Sequence, residues 1–276
     1  MASVPPPPGR GLAALIPEVG PADPPTLPAG FAAFIDSVHQ QNLDVLAERF
    51  DLPVAIGYHR PRQGTDRVYV AAPDFERLAP TRAMELFDHV RRVLDQSGSH
   101  HRLETEQGSF VGVVSAGPQS RSAYLLSEPS GQGDTSDAGD PTAELVDAAR
   151  GMGDLVHSLE ATMRRPDPAH IVVAVEPAES GAHRVQVDVQ APDVEPVPSV
   201  VVGPSVMESA AVAAARTIDS DARLLTLRRT DVGPNPMVLA VVSLGGRAPT
   251  MAIASLRDGE NAAAARAAYR AAAFAV

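Results

Sequence analysis

The chain has 276 residues, 44% of them hydrophobic but only 4% aromatic and none Trp, which allows two ordinary domains with cores built mainly from Val, Leu, Ile and Ala. The absence of Cys excludes disulfides, thiolate catalysis, Cys-ligated zinc and iron–sulfur clusters, and the absence of Lys (all 23 basic residues are Arg) removes phosphate-loop, Schiff-base and general-base lysines. The net charge is −11, and Arg is scattered among 34 acids with only short pairs such as Arg91-Arg92, which argues against nucleic acid as a partner.

A GC-rich coding sequence, which favours Arg, Ala, Gly and Pro, accounts for the missing lysine; selection against lysine modification is the sharper alternative. No apolar run reaches the roughly 18 residues a membrane span needs. The N-terminus lacks the charged and hydrophobic regions of a signal peptide, and Pro5–Pro8 would spoil one, so the expected compartment is the cytoplasm.

Residues 1–29 carry nine prolines and almost no periodic pattern, the composition of a disordered polyproline-like tail. From Phe31 the spacing predicts a helix, with Phe31, Phe34, Ile35, Val38, Val45, Leu46 and Phe50 on one face and Asp36, Gln40 and Asp44 away from it. Asp51-Leu-Pro stops it, because the residue before proline is pushed out of the α region. Strands are expected at Val54–His59 and Arg67–Ala71. A second amphipathic helix follows over Thr81–Gln96, with Leu86, Phe87, Val90, Val93 and Leu94 buried and Ser97-Gly98 closing it. His101–Glu106, Phe110–Ser115 and Ser122–Ser127 read as strands, the last two joined by a Gly117-Pro118 turn.

Ser130–Asp140 reads as a Gly/Ser/Asp loop. Asp140-Pro141 then opens a long helix, an acid at the cap and proline at the first helical position. Its core stripe is Leu145, Ala148, Ala149, Met152, Leu155, Val156, Leu159 and Met163, with Arg150 and Asp154 pairing four apart on the outside. Arg164-Arg165-Pro166-Asp167-Pro168 marks the domain boundary, so residues 30–165 form one domain and 166–276 the next. Element order in the first, with an antiparallel sheet flanked by helices, resembles the sensory GAF/PAS-like folds.

In the second domain, residues 171–219 and 223–271 repeat one pattern in register at an offset of 52. Val173 and Val175 align with Leu225 and Leu227; Val185, Val187 and Val189 with Met237, Leu239 and Val241; Val201 with Ile253. The helix from Glu208 aligns with that from Glu260. Each copy is a β-β-β-α unit, and the pair is expected to pack about a pseudo-two-fold, sheets facing one way and Ala-rich helices the other. The run Val202-Gly-Pro-Ser-Val-Met-Glu-Ser-Ala-Ala is similar to the Gly-Pro-Val-Asp-Ala turn in the C-terminal regulatory domain of 2-isopropylmalate synthases. That resemblance implies a dimerising domain with an end-product amino acid near the paired turns. The catalytic barrel of that family and its His-x-His motif have no counterpart. The expected class is therefore α+β: a GAF/PAS-like α/β sandwich followed by a pseudo-two-fold (βββα)2 domain.

Chemistry-bearing runs are few. In His100-His101-Arg102-Leu103-Glu104-Thr105-Glu106 a strand puts Arg102, Glu104 and Glu106 on one face and His101 on the other, which divides any ligand set. Asp134, Asp137 and Asp140 lie three apart, not at the alternate positions of an EF-hand. Two anion sites are candidates: Arg60 and Arg62 beside His59 at a strand end, with Arg67 across the turn, and Gly203, Ser205 and Glu208 at a helix start whose N–H groups suit a carboxylate or phosphate. No nucleophile elbow and no dinucleotide fingerprint is present. No cofactor or metal is called for. The expected function is a non-catalytic regulatory protein that binds a small metabolite and a protein partner, as a homodimer. The runner-up is a structural or assembly protein, and an enzyme working through His and carboxylates comes third.

Overall fold

The computed structural model describes residues 27–71, 78–96, 98, 100–106, 108–128, 141–164, 170–190 and 198–276. The expected Pro-rich tail up to residue 26, the Ser130–Asp140 loop with its three acids, and the Arg165–Pro168 boundary lie outside these residues. Within them the fold is mixed α+β, with five α-helices and three antiparallel sheets.

The first region runs α1 (Phe31–Arg49), β1 (Ala55–Pro61), β2 (Arg67–Ala71), α2 (Pro80–Asp95), β3 (His100–Thr105), β4 (Gly108–Ala116), β5 (Ser120–Ser127) and α3 (Pro141–Arg164). The strands form one sheet in the order β2-β1-β5-β4-β3. Its central strands are apolar on both faces because both are covered. Leu86, Val90, Val93 and Leu94 of α2 pack on one face against Ile56, Phe110 and Leu125. Leu43 and Leu46 of α1 and Leu145 and Ala149 of α3 pack on the other against Tyr69, Val113 and Tyr124. One expected core position in α1 is wrong: Val45 is 48% exposed, and Leu43 is buried instead. The stripe steps Ile35, Val38-His39, Leu43, Leu46 at the helical period, so Val45 falls outside it.

The remaining elements are β6 (His170–Pro177), β7 (His183–Gln190), β8 (Ser199–Gly203), α4 (Val206–Arg216), β9 (Arg223–Val232), β10 (Asn235–Ser243), β11 (Thr250–Ser255) and α5 (Glu260–Ala275). Two sheets result, β6-β7-β8 and β11-β10-β9. They do not face one way with the helices behind them, as the repeat led us to expect. Instead α4 and α5 lie between the sheets, packed on each other. Val185 and Val187 meet Ala210, Ala213, Ala265 and Tyr269 on one side, and Val238, Ala240 and Ala252 meet Ala211, Ala263 and Ala267 on the other. The reason is side-chain size. Helices with Ala on every side can be buried from two directions at once, whereas larger residues would hold one sheet away.

The far face of β9–β11 covers the first region. Met237, Leu239, Met251 and Ile253 pack on Phe31 and Ile35 of α1 and on Val156, Leu159 and Met163 of α3. The edge strand β11 is closed by α3: Ser158 Oγ accepts the Met251 N–H at 2.8 Å, and Thr162 Oγ1 donates to the Met251 carbonyl at 3.3 Å. Covering an edge in this way satisfies its free backbone groups and removes a pairing template. Sheets on two sides also explain why α3 is buried all round from Val156 to Met163.

Candidate functional site

The cluster of buried polar groups sits where α1, β1, β5 and α3 converge. His39 comes from α1, His59 from β1, Ser120 and Ser122 from β5, and His157 and Glu160 from α3; all are buried. His39 Nε2 lies 3.1 Å from His59 Nδ1, which is also 3.1 Å from Ser122 Oγ. His59 Nε2 is 3.3 Å from Glu160 Oε1. Ser120 Oγ donates to Glu160 Oε2 and lies 2.7 Å from His157 Nδ1. His157 Nε2 is 3.1 Å from the Ser115 carbonyl, and Ser115 Oγ donates to Asp154 at 2.7 Å.

The hydrogen-bond valences fix one proton. A carbonyl only accepts, so His157 Nε2 carries a proton for the Ser115 oxygen. The buried carboxylate of Glu160 is surrounded by His59, Ser120 and His157, whose polar atoms answer it in place of water. Burial by itself would raise the Glu160 carboxyl, but hydrogen bonds with His157 and His59, the His59 charge and Ser120 outweigh it and hold it well below the usual carboxylate range. His39 goes the other way in charge: burial, then the neighbouring His59 and His157, lowers it well below an ordinary histidine and keeps it neutral.

The packing around the cluster depends on two glycines. A Cβ at Gly117 would stand 2.6 Å from His157 Cβ, and one at Gly153 would stand 2.6 Å from Ser115 Cβ. A side chain at either position would push α3 away from β4 and β5.

The cluster opens to solvent at one end. A cleft of about 260 Å³ has His59 and Glu160 among its lining, with Phe31, Ile35 and Asp36 of α1, Thr65 and Arg67 of the β1–β2 hairpin, and Arg164 at the end of α3. Asp36 is engaged twice, by the Tyr69 hydroxyl at 2.7 Å and by an ion pair with Arg67. Arg164 differs: its Nε is buried and has no hydrogen-bond partner. Ser122, His59 and Glu160 come in the order of a nucleophile, base and acid, yet Ser122 is 1% exposed and does not line the cleft, so no substrate could reach it there. Among the described residues no group of three or more His, Cys, Asp or Glu is arranged to hold a metal ion.

The residues singled out from sequence are placed elsewhere, except at the margins of this site. Arg60 forms ion pairs with Asp95 at 2.7 Å and Asp66 at 3.2 Å. Arg62 is exposed in the hairpin, and its backbone N–H donates to Gln119. Neither lines the cleft, whereas their neighbours His59 and Arg67 do. Gly203 ends β8, and Ser205 is the N-cap of α4, its Oγ accepting the Glu208 N–H at 3.3 Å. The helix start is thus capped from within the chain. Ser205→Ala is expected to lower stability by about 1 kcal/mol, read from urea unfolding. The Arg150–Asp154 pair also differs from expectation: Arg150 reaches Asp147 at 3.5 Å, while Asp154 turns inward to Ser115. On β3, Glu104 accepts from Ser109, Arg102 pairs with Glu128, and His101 lies on the opposite, half-buried face with its Nε2 unpartnered.

No family model, curated protein or solved structure matches the chain. Function must therefore be argued from the geometry of this site. Among the described residues, no helix is long and apolar enough to cross a membrane.

Proposed function

We propose that the chain is a non-catalytic, cytoplasmic regulatory protein that binds a small molecule in the cleft over His59 and Glu160 and passes the bound state to a protein partner. The observation that carries this is the cleft itself, an open recess with a rigid, internally hydrogen-bonded polar floor and an apolar wall from α1. Recesses with a few convergent polar groups are where small ligands bind. The wall elements also lead away from it. α1 and α3 both rest on β9–β11, so a ligand that draws them together acts on the second half of the chain. The helix-flanked antiparallel sheet supports reading residues 30–165 as a GAF/PAS-like sensor domain. The two successive three-strand-and-helix units support a (βββα)2 domain like that of 2-isopropylmalate synthases over 166–276.

A thermal-shift screen against metabolites tests this, with Thr65→Trp as the control. Thr65 is exposed at the rim, so the indole fills the cleft without entering the core. A ligand at 100 times its Kd should add roughly 2.7 kcal/mol to the wild type and nothing to the variant. A hit that Thr65→Trp leaves unchanged binds elsewhere and removes the cleft from the account.

One observation favours the assembly reading instead. The outer face of β6–β8 exposes Val172, Val200 and Val202 around Arg184 and Asp188 of the central strand. A second copy related by a two-fold would cover the valines and pair the opposite charges, making the homodimer expected from the sequence. A flat screen together with a dimer by light scattering would favour that role.

A further inference from the structure

We infer that the ligand of the cleft is a small monocarboxylate with an apolar body, its carboxylate seated on Arg164; this rests on the cleft being a binding site. Among the described residues four charged side chains line the recess, and three are already answered within the chain. Asp36 and Arg67 pair with each other, and Glu160 is held by His59 and Ser120. Arg164 remains, with a buried Nε that has no partner. A buried donor without an acceptor is costly, and a ligand that accepts from the guanidinium would offset that cost.

The guanidinium is a planar fork, and the group that matches it with two parallel hydrogen bonds is a carboxylate. Phosphate would match as well, but a dianion would stand near the carboxylates of Glu160 and Asp36 with, among the described residues, only Arg164 left to offset them. A cationic ligand would meet Arg164 unscreened. A single negative charge is what the remaining valence accepts. Leu27, Phe31, Ala32 and Ile35 make one wall apolar, opposite the Gln63–Thr65 stretch of the hairpin, and that wall suits an aliphatic or aromatic body. At about 260 Å³ the recess suits a short chain or a single ring.

The test is calorimetric titration of the full chain with hexanoate, hexanamide and hexylamine, which share one tail and differ in the head group. Hexanoate is expected to bind at least about tenfold more tightly than either of the others, as a charge-assisted hydrogen-bond pair requires. Arg164→Gln should lose about tenfold or more in hexanoate affinity with its unliganded melting temperature kept. Arg164→Lys, which keeps the charge without the fork, should fall between. Equal binding of the amide or the amine, or wild-type hexanoate affinity in Arg164→Gln, would overturn the carboxylate class. If such binding is still blocked by Thr65→Trp, the cleft survives as a site with another ligand class. No binding by any of the three overturns the class too, and a flat metabolite screen beside it removes the cleft as well.

Discussion

Replacing Glu160 with Ala should lower the unfolding free energy by about 2–6 kcal/mol at pH 7, about 1–3 kcal/mol for each of two buried groups left without its acceptor. Those groups are the Ser120 hydroxyl and the His59 ring, which both face the carboxylate. Urea unfolding followed by circular dichroism reads it directly. Glu160→Gln keeps the volume and removes the charge, so a cost close to that of Ala would assign the effect to the lost carboxylate and not to a cavity. A change below 1 kcal/mol in both variants would mean that the cluster does not hold α3 to the sheet.

The same residue predicts a pH profile. Its folded pKa lies below the unfolded value of about 4.3, so its stabilisation is complete above that pH and is lost as the pH falls through it and on towards the folded value. The difference between wild type and Glu160→Ala should therefore shrink below about pH 4. His39 acts earlier on the same scale. It is held neutral in the fold, while the unfolded chain takes up a proton below about pH 6.5, so stability should already decline from there in both proteins.

Much of the chain's local structure was legible because periodicity reports burial on one face. β2, β4, β5, α2 and the two repeats fall within a few residues of their expected positions, and the offset of 52 carries β7 onto β10 and β8 onto β11. What periodicity could not report is burial from two sides. Ala-rich α4 and α5 look the same whether one sheet or two cover them, and α3 was assigned a single stripe although Ser158, Thr162 and Glu160 are all buried. A mixed small and polar run between two large apolar residues, Val156 to Met163, was the signal available.

The site was missed for a related reason. Its members come from residues 39, 59, 120, 122, 157 and 160, and nothing local links them. His39 sits beside Val38 on the apolar stripe of α1, and His157 and Glu160 flank Leu159 on α3. Polar residues at core positions of two helices were therefore visible, but that they meet each other depends on both helices packing on one sheet face. Arg60 and Arg62 drew attention through their charge, yet strand alternation sends His59, not Arg60, inward. The residue next to the conspicuous one was the informative one.

The contact between the two halves of the chain makes the second large prediction. Gly30, just before α1, and Gly233, in the β9–β10 turn, meet backbone to backbone at φ +85° and +58°. A Cβ on Gly233 would lie 2.6 Å from the Ala29 carbonyl oxygen, and one on Gly30 would lie 2.7 Å from the Gly233 Cα. Neither neighbour is the end of a flexible side chain, so the elements themselves must separate. Gly233→Val should then cost about 1–3 kcal/mol for a β-branched residue in the left-handed region and a similar amount for the forced separation, together about 2–6 kcal/mol. Its effect should also be local in kind. The start of α1 forms one wall of the cleft, so ligand binding should weaken along with stability, and amide exchange should rise first in α1 and the β9–β10 turn. Exchange that rises uniformly over the chain would show that the halves unfold as one unit and that this contact is not a separable joint.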